Sequence, residues 1–515
     1  MTKANENASH SNQMRTLRNA VWYLGAGLGG HAYVFISLPL LNSILSEQEF
    51  GAYVILSQLA MTIQMVMSAL FGSAILRLRV EYQGAEQRSF LTTILAAAVF
   101  CQVLLWLFLS WCGSEILTGI YPNLTLELGY IPQLLGAWMV LLTLRTLTTT
   151  LIKSLEEPKR ALQINLLYGF ALLAALWFVL IVYPEINATE ADWTDVFWAL
   201  IAAETVTAIA VFLLLRSHLG LSANTKYLHS AMSFTGPLVF GSIITSLVFN
   251  LDAIILARYV DLDVLGVYGI GAILGKISAA VSTAYISSYS VRLINSAGEN
   301  RPASEIRNFI DEILRDNFVL MASFCCFVFV CSEFVIDFMM GVKQVDSGNG
   351  LSSGLAVWTF CAICLGHLSR SVFQVFYNTL FTLKRNWLLL FASIGNLVAA
   401  AIVMTLGAKF FGAAAVAMGL ATSYLIACVF VAPSSHHFFG WAFPWSSAFR
   451  VVLTGGISLL GTALIWDLNV SYEDPSFWAI KAAQVAIFIS WLPALISLKR
   501  VAQGPKAAKG AASSE

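Results

Sequence analysis

About 14 separate runs of roughly 20 apolar residues fill this chain, and that length decides what it can fold into. They lie near residues 19–41, 50–74, 90–112, 131–152, 161–183, 195–215, 234–257, 264–287, 317–336, 354–380, 386–407, 411–433, 449–466 and 477–498. Twenty residues of helix span a bilayer, whereas a barrel strand needs only about 10 and alternates polar with apolar. Only 11% of the 515 residues are charged, too little polar surface for a water-soluble domain. The expectation is an all-α polytopic membrane protein.

The basic residues give the orientation. With both termini inside, about 22 of the 29 Lys and Arg fall in inside segments and about 4 outside, Lys481 among the latter. Arg145, Lys276 and Arg370 remain within helices. The first apolar run is too long for a signal-peptide core and is expected to stay as the first helix. Outside loops are short, so a catalytic domain has no room there. In the longest inside loop Ile306, Phe309, Ile310, Ile313 and Leu314 recur at helical spacing among charges, as in an interfacial amphipathic helix. No Walker-A sequence is present to bind ATP. The pair Cys361 and Cys364 has C-x-x-C spacing, but inside an apolar run it points to packing.

The chain repeats itself. LNSILSEQEFGAYVI at 41–55 aligns without gaps on LARYVDLDVLGVYGI at 256–270, which places Gly51 on Gly266 and Tyr53 on Tyr268. Arg77 falls on Arg292 at the same offset. Further on, an offset of 225 places Arg145 on Arg370 and Lys159-Arg160 on Lys384-Arg385. Each unit holds six helices, an even number, so the repeats are parallel and related by an axis along the membrane normal. The expected layout is a tail over 1–18, a first lobe over 19–220, a second lobe over 221–433, two further helices over 434–498 and a tail over 499–515. Two lobes around a midplane cavity form a recurrent transporter plan; a channel filter motif is missing.

Three stretches near the start, NAVWYLGAGLGG, SEQEFGAY and SAILRLRVEY, resemble the opening helices of bacterial polysaccharide-repeat-unit flippases. NLDAIILARYVDLDVLGVYGIG is similar to the seventh and eighth helices of the same family, a branch of the multidrug/oligosaccharidyl-lipid/polysaccharide exporter superfamily. The resemblance implies transport of an undecaprenyl-diphosphate-linked oligosaccharide from the inner to the outer leaflet by alternating access. It implies a bacterial cytoplasmic membrane, membrane lipids and a lipid-linked cargo as partners, and polysaccharide polymerase and export machinery nearby. In relatives the first, second, seventh and eighth helices line the cavity, and a terminal pair such as 449–498 cradles the lipid tail.

Such a cargo is anionic, which ranks the intramembrane charges. Lys276 lies about 12 residues into the eighth helix, roughly 18 Å deep, where it needs water, a partner or an anion. The alternatives are the cargo diphosphate and a neighbouring carboxylate such as Asp252. Arg77 and Arg292 stand at matching inner ends, suited to bidentate capture of diphosphate or to head-group contact. Arg145 and Arg370 occupy one lobe position used twice, with Glu204 a partner for the first and His367, one turn away, a companion for the second. Lobe packing and cargo contact both stay open for them. His31 and Asp252 are the titratable groups suited to coupling by H+ or Na+. A packed neutral histidine and a water-exposed aspartate are the alternatives.

Asp261-Leu262-Asp263 imitates a sugar-nucleotide D-x-D motif, but the repeat places it on Ser46-Glu47-Gln48-Glu49, a helix-capping sequence. No metal, catalytic residue or nucleic-acid contact is expected, and no cofactor beyond a coupling ion. A cation-coupled multidrug or organic-cation antiporter of the same superfamily is the competing function. Its cleft would carry carboxylates, whereas three of the deep charges here are cations.

Overall fold

The computed structural model describes residues 22, 25, 33–78, 82–120, 129–155, 157–187, 192–220, 222, 224–298, 303–340, 351–382, 386–441, 443–467 and 475–502. Among them all regular structure is helical. The first lobe contains α1 (Val34–Ile44), α2 (Glu47–Met67), α3 (Gly84–Ile120), α4 (Ile131–Ser154), α5 (Pro158–Trp177) and α6 (Trp193–Leu215). A π-helical turn at Ser68–Gly72 carries α2 on into Ser73–Leu78, and another at Phe178–Val182 extends α5. The second lobe contains α7 (Thr225–Leu256), α8 (Leu262–Gly298), α9 (Ala303–Met340), α10 (Leu351–Thr382), α11 (Asn386–Phe411) and α12 (Ala413–Phe439). The last pair is α13 (Trp445–Asp467) and α14 (Pro475–Ala502). Among the described residues ten helical stretches are long and apolar enough to cross a membrane. A shorter apolar stretch, Ile243–Leu256, lies in α7.

Packing follows the repeat. In the first lobe α3 lies on α4 and α6 on both α4 and α5; in the second, α12 lies on both α10 and α11. The lobes meet where α2 runs against α7 and α8, and the terminal pair rests on α9.

Capping and small residues set the meeting of α2 and α8. Ser46 and Glu49 form a reciprocal capping box: the Ser46 hydroxyl accepts from the Glu49 N–H while the Glu49 carboxylate accepts from the Ser46 N–H. Asp261 stands immediately before α8, the matching place. Just inside both starts, Gly51 and Gly266 face one another. A methyl group built on either would stand 3.3 Å from the other's backbone nitrogen and closer still to a carbonyl oxygen of the opposing helix, Leu262 or Glu47. Only glycine lets the two helices approach so closely.

Two sequence expectations change. The loop expected to hold an interfacial helix is instead the start of α9, which continues unbroken to Met340. Ile306, Ile310, Ile313 and Leu314 are buried in the protein core rather than laid on a lipid surface. Lys481, counted as an outside-loop residue, is buried within α14. Cys361 and Cys364 are free and fully buried, and the Cys364 thiol faces the Gly275 carbonyl of α8, as packing residues would.

Candidate functional site at the lobe interface

Lys276 reaches out of α8 to the interface between lobes. Its ammonium donates to Gln58 Oε1 on α2 and, at 3.0 Å, to Asn250 Oδ1 on α7. The Asn250 amide nitrogen in turn donates to Thr62 Oγ1 at 2.8 Å, and the Thr62 hydroxyl returns to the Gln58 carbonyl one turn earlier on α2. Gln58, Thr62 and Asn250 are all buried. The i to i+4 spacing of Gln58 and Thr62 puts both on the α2 face that meets α7. A polar network thus crosses from one lobe to the other inside an apolar environment, where each unmade hydrogen bond would be expensive.

The partners are neutral. Among the described residues Lys276 makes no direct ion pair; its hydrogen-bond partners are amides, with the Asp252 carboxylate within electrostatic reach but not in contact. Asp252, the carboxylate expected to compete for it, instead accepts a hydrogen bond from the Tyr268 hydroxyl at 2.8 Å. Its other oxygen is unpartnered, and the residue is 2% exposed, which replaces the water-exposed alternative with a buried one. Neutral amides hold an ammonium while leaving it a net attraction for a mobile anion.

Phe249, one residue before Asn250, organises the neighbouring charges. The Lys276 ammonium and the Arg370 guanidinium each stand 5.2 Å from the centre of its ring, and the His367 ring stands 5.3 Å away. Both cations are within the range of attraction by an aromatic face. Sequence reasoning therefore found three of the side chains gathered here, but not Phe249, Gln58 or Asn250. Their signal was only a polar residue, or one more aromatic, in an apolar run.

Arg145 lies elsewhere, in the body of the first lobe. Its Nε donates to Glu204 Oε2 at 2.7 Å, and its guanidinium lies 4.0 Å from the centre of the Tyr168 ring. Glu204 is 0% exposed. This ion pair and ring contact hold α4, α5 and α6 together. A second buried pair was not anticipated. Lys481 on α14 contacts Glu333 on α9 and donates to the carbonyls of Phe329 and Val330, both at 3.1 Å. It ties the terminal helices to the second lobe, beside an apolar groove of about 420 Å³ lined by Phe334, Trp478, Val485 and Ile489. Arg77 and Arg292 stand on described helices, but their side chains lie outside the described residues, as does His31 entirely.

Two six-helix lobes joined by a polar network have the architecture of a membrane transporter. Residues 16–297, more than half of the chain, match the family model described as polysaccharide biosynthesis protein, and the chain belongs to that family. No curated protein sequence matches it. Among solved structures it is similar to the lipid II flippase MurJ in an inward closed conformation. That match has 10% identity and a TM-score of 0.64, covering 94% of this chain and 98% of the other. A mutant of the Vibrio cholerae MATE transporter VcmN matches at 11% identity and a TM-score of 0.60, covering 84% and 98%. A MOP superfamily transporter from Pyrococcus furiosus, described as having a binding pocket of reverse polarity, matches at 11% identity and a TM-score of 0.56, covering 83% and 96%. At these identities the likeness is one of fold.

Proposed function

We propose that this protein flips an undecaprenyl-diphosphate-linked oligosaccharide from the inner to the outer leaflet of a bacterial cytoplasmic membrane for surface polysaccharide synthesis. Its termini lie in the cytoplasm on this reading, and the lobes rock about their interface to expose the cavity to each side in turn. The observation that carries the proposal is the chemistry of Lys276: an ammonium between the lobes, held by neutral amides where a cation pump would place carboxylates. A diphosphate entering the interface exchanges Gln58 and Asn250 for a stronger, charged acceptor. Arg77 and Arg292, at matching inner ends, would receive the diphosphate first. Asp252, buried with one free oxygen, is the group proposed for H+ or Na+ coupling, with His31 the second candidate.

Leaflet-specific detection of the lipid-linked oligosaccharide in cells depleted of the protein tests this. Accumulation facing the cytoplasm, with surface polymer lost, is the expected result, and mass analysis then names the sugar. An unchanged lipid-linked pool would instead favour a drug or organic-cation antiporter, to be followed by efflux assays.

A further inference from the structure

The two lobes treat their matching arginines differently. In the first lobe Arg145 is closed off by Glu204 and stacked on Tyr168. Within α5 and α11 the burial pattern fits an offset of 228, three more than the offset that matches Lys159-Arg160 to Lys384-Arg385, and this aligns Pro158 with Asn386 and places Tyr168 on Asn396. The buried positions Ile164, Leu172 and Leu176 then fall on the buried Ala392, Ala400 and Met404. Aligning α6 with α12 in the same way, Trp193 on Ala413, places Glu204 on Tyr424, and the buried Leu200 and Thr207 on the buried Leu420 and Ala427. So where the first lobe surrounds its arginine with a carboxylate and a phenol, the second offers an amide and a phenol. The carboxylate is missing.

Nothing else among the described residues replaces it. Arg370 makes no ion pair there, and its Nε has no hydrogen-bond partner. The same is true of both ring nitrogens of His367, of the Tyr424 hydroxyl and of Asn396 Oδ1. His367 is 0% exposed, and Asn396 and Tyr424 are also buried. The Tyr424 hydroxyl interacts with the Asn396 side chain, short of good hydrogen-bond geometry, and lies within electrostatic reach of Arg370. Arg370 is partly exposed, but its Nε is buried, and a guanidinium this far along an apolar helix cannot shed its proton and gains from a counter-charge. Water would fill hydrogen bonds but leave that charge uncompensated. The surrounding groups are those an anion would choose: guanidinium N–H, imidazole N–H, phenolic O–H and, with the amide turned over, the NH2 of Asn396.

We infer that the second lobe binds a small monovalent anion, of the size and charge of chloride, among Arg370, His367, Asn396 and Tyr424, where the first lobe carries Glu204. Direct packing of α12 on both α10 and α11 favours a compact ion over a polyatomic one. The ion completes the lobe and is separate from the cargo, so the inference stands whether or not the proposed cargo is right. Because Arg370 shares the Phe249 ring with Lys276, the ion also fixes the lobe wall behind the interface.

The test is thermal unfolding of the purified full chain in detergent, in chloride and in gluconate at equal ionic strength. The wild type is expected to melt about 2–4 °C higher in chloride, the shift of an ion that binds the folded state alone. Tyr424→Glu builds the carboxylate of the first lobe into the second; it should remove the chloride dependence without lowering the melting temperature in gluconate. Arg370→Gln should remove the dependence too. Identical melting of the wild type in both salts would overturn the inference, as would a chloride shift that survives in both variants.

Discussion

Arg145 and Lys276 are both cations placed within apolar helices, yet their surroundings give them opposite uses. Arg145 is neutralised by Glu204 and covered by Tyr168, so it has no charge left for a ligand. Glu204→Gln should therefore act on stability. Leaving a largely buried guanidinium unpaired costs up to about 3–5 kcal/mol, which a lowered melting temperature in detergent would register while the transport rate per folded molecule stays unchanged. Lys276 is held instead by the neutral amides of Gln58 and Asn250. Lys276→Met should lower flipping roughly tenfold or more, the effect of losing one charge-assisted contact, with membrane insertion intact. Part of this was legible in the sequence. Ionisable residues are rare enough in apolar runs that Arg145 and Glu204 identify each other. Gln58, Asn250 and Phe249 could not be singled out, because neutral amides and aromatics are common in membrane helices and carry no charge to argue from.

Elements show a different boundary between what sequence discloses and what it hides. Hydropathy locates apolar spans, not helix ends, so α9 begins well before its span, at Ala303, and takes in the segment expected to be interfacial. Charged residues between Ile306 and Leu314 gave that segment an amphipathic pattern; whether its apolar face meets lipid or protein is decided by tertiary packing. Lys481 was misplaced for a related reason, since its partner Glu333 lies 148 residues earlier and is brought to it only by the fold. Glu333→Gln should loosen α14 from α9, seen as faster proteolysis of the terminal helices with the lobes intact. At the starts of α2 and α8 the internal repeat was more informative than hydropathy. It paired Gly51 with Gly266, and the fold brings the two together. Gly266→Val cannot be accommodated against the Glu47 carbonyl without separating these helices. Paired cysteines introduced at Gln48 and Asp263, whose side chains meet at 3.5 Å, should cross-link readily in the parent and poorly in that variant.

For the whole molecule, the tight approach of α2 and α8 near Gly51 and Gly266, together with the Lys276 network further along both helices, describes lobes joined through one end of their interface. Alternating access requires that junction to part and re-form. On the proposed function the cargo would supply a reason for it to part, since a diphosphate would compete for Lys276 with the amides that hold the lobes together. The electrical term works with the chemistry: with the inside negative, each uncompensated negative charge moved outward releases about 2.3 kcal/mol per 100 mV. A lysine that travelled with the cargo would cancel part of that gain, and ion coupling through Asp252 would then matter more.

The most direct measurement reconstitutes the full chain in proteoliposomes carrying a fluorescent undecaprenyl-diphosphate oligosaccharide and follows the fraction accessible to an external, membrane-impermeant quencher. Exchange between leaflets is predicted with the wild type, at a rate at least several-fold lower with Lys276→Met at equal protein incorporation. Equal exchange by the two proteins, or none above protein-free vesicles, would contradict the account.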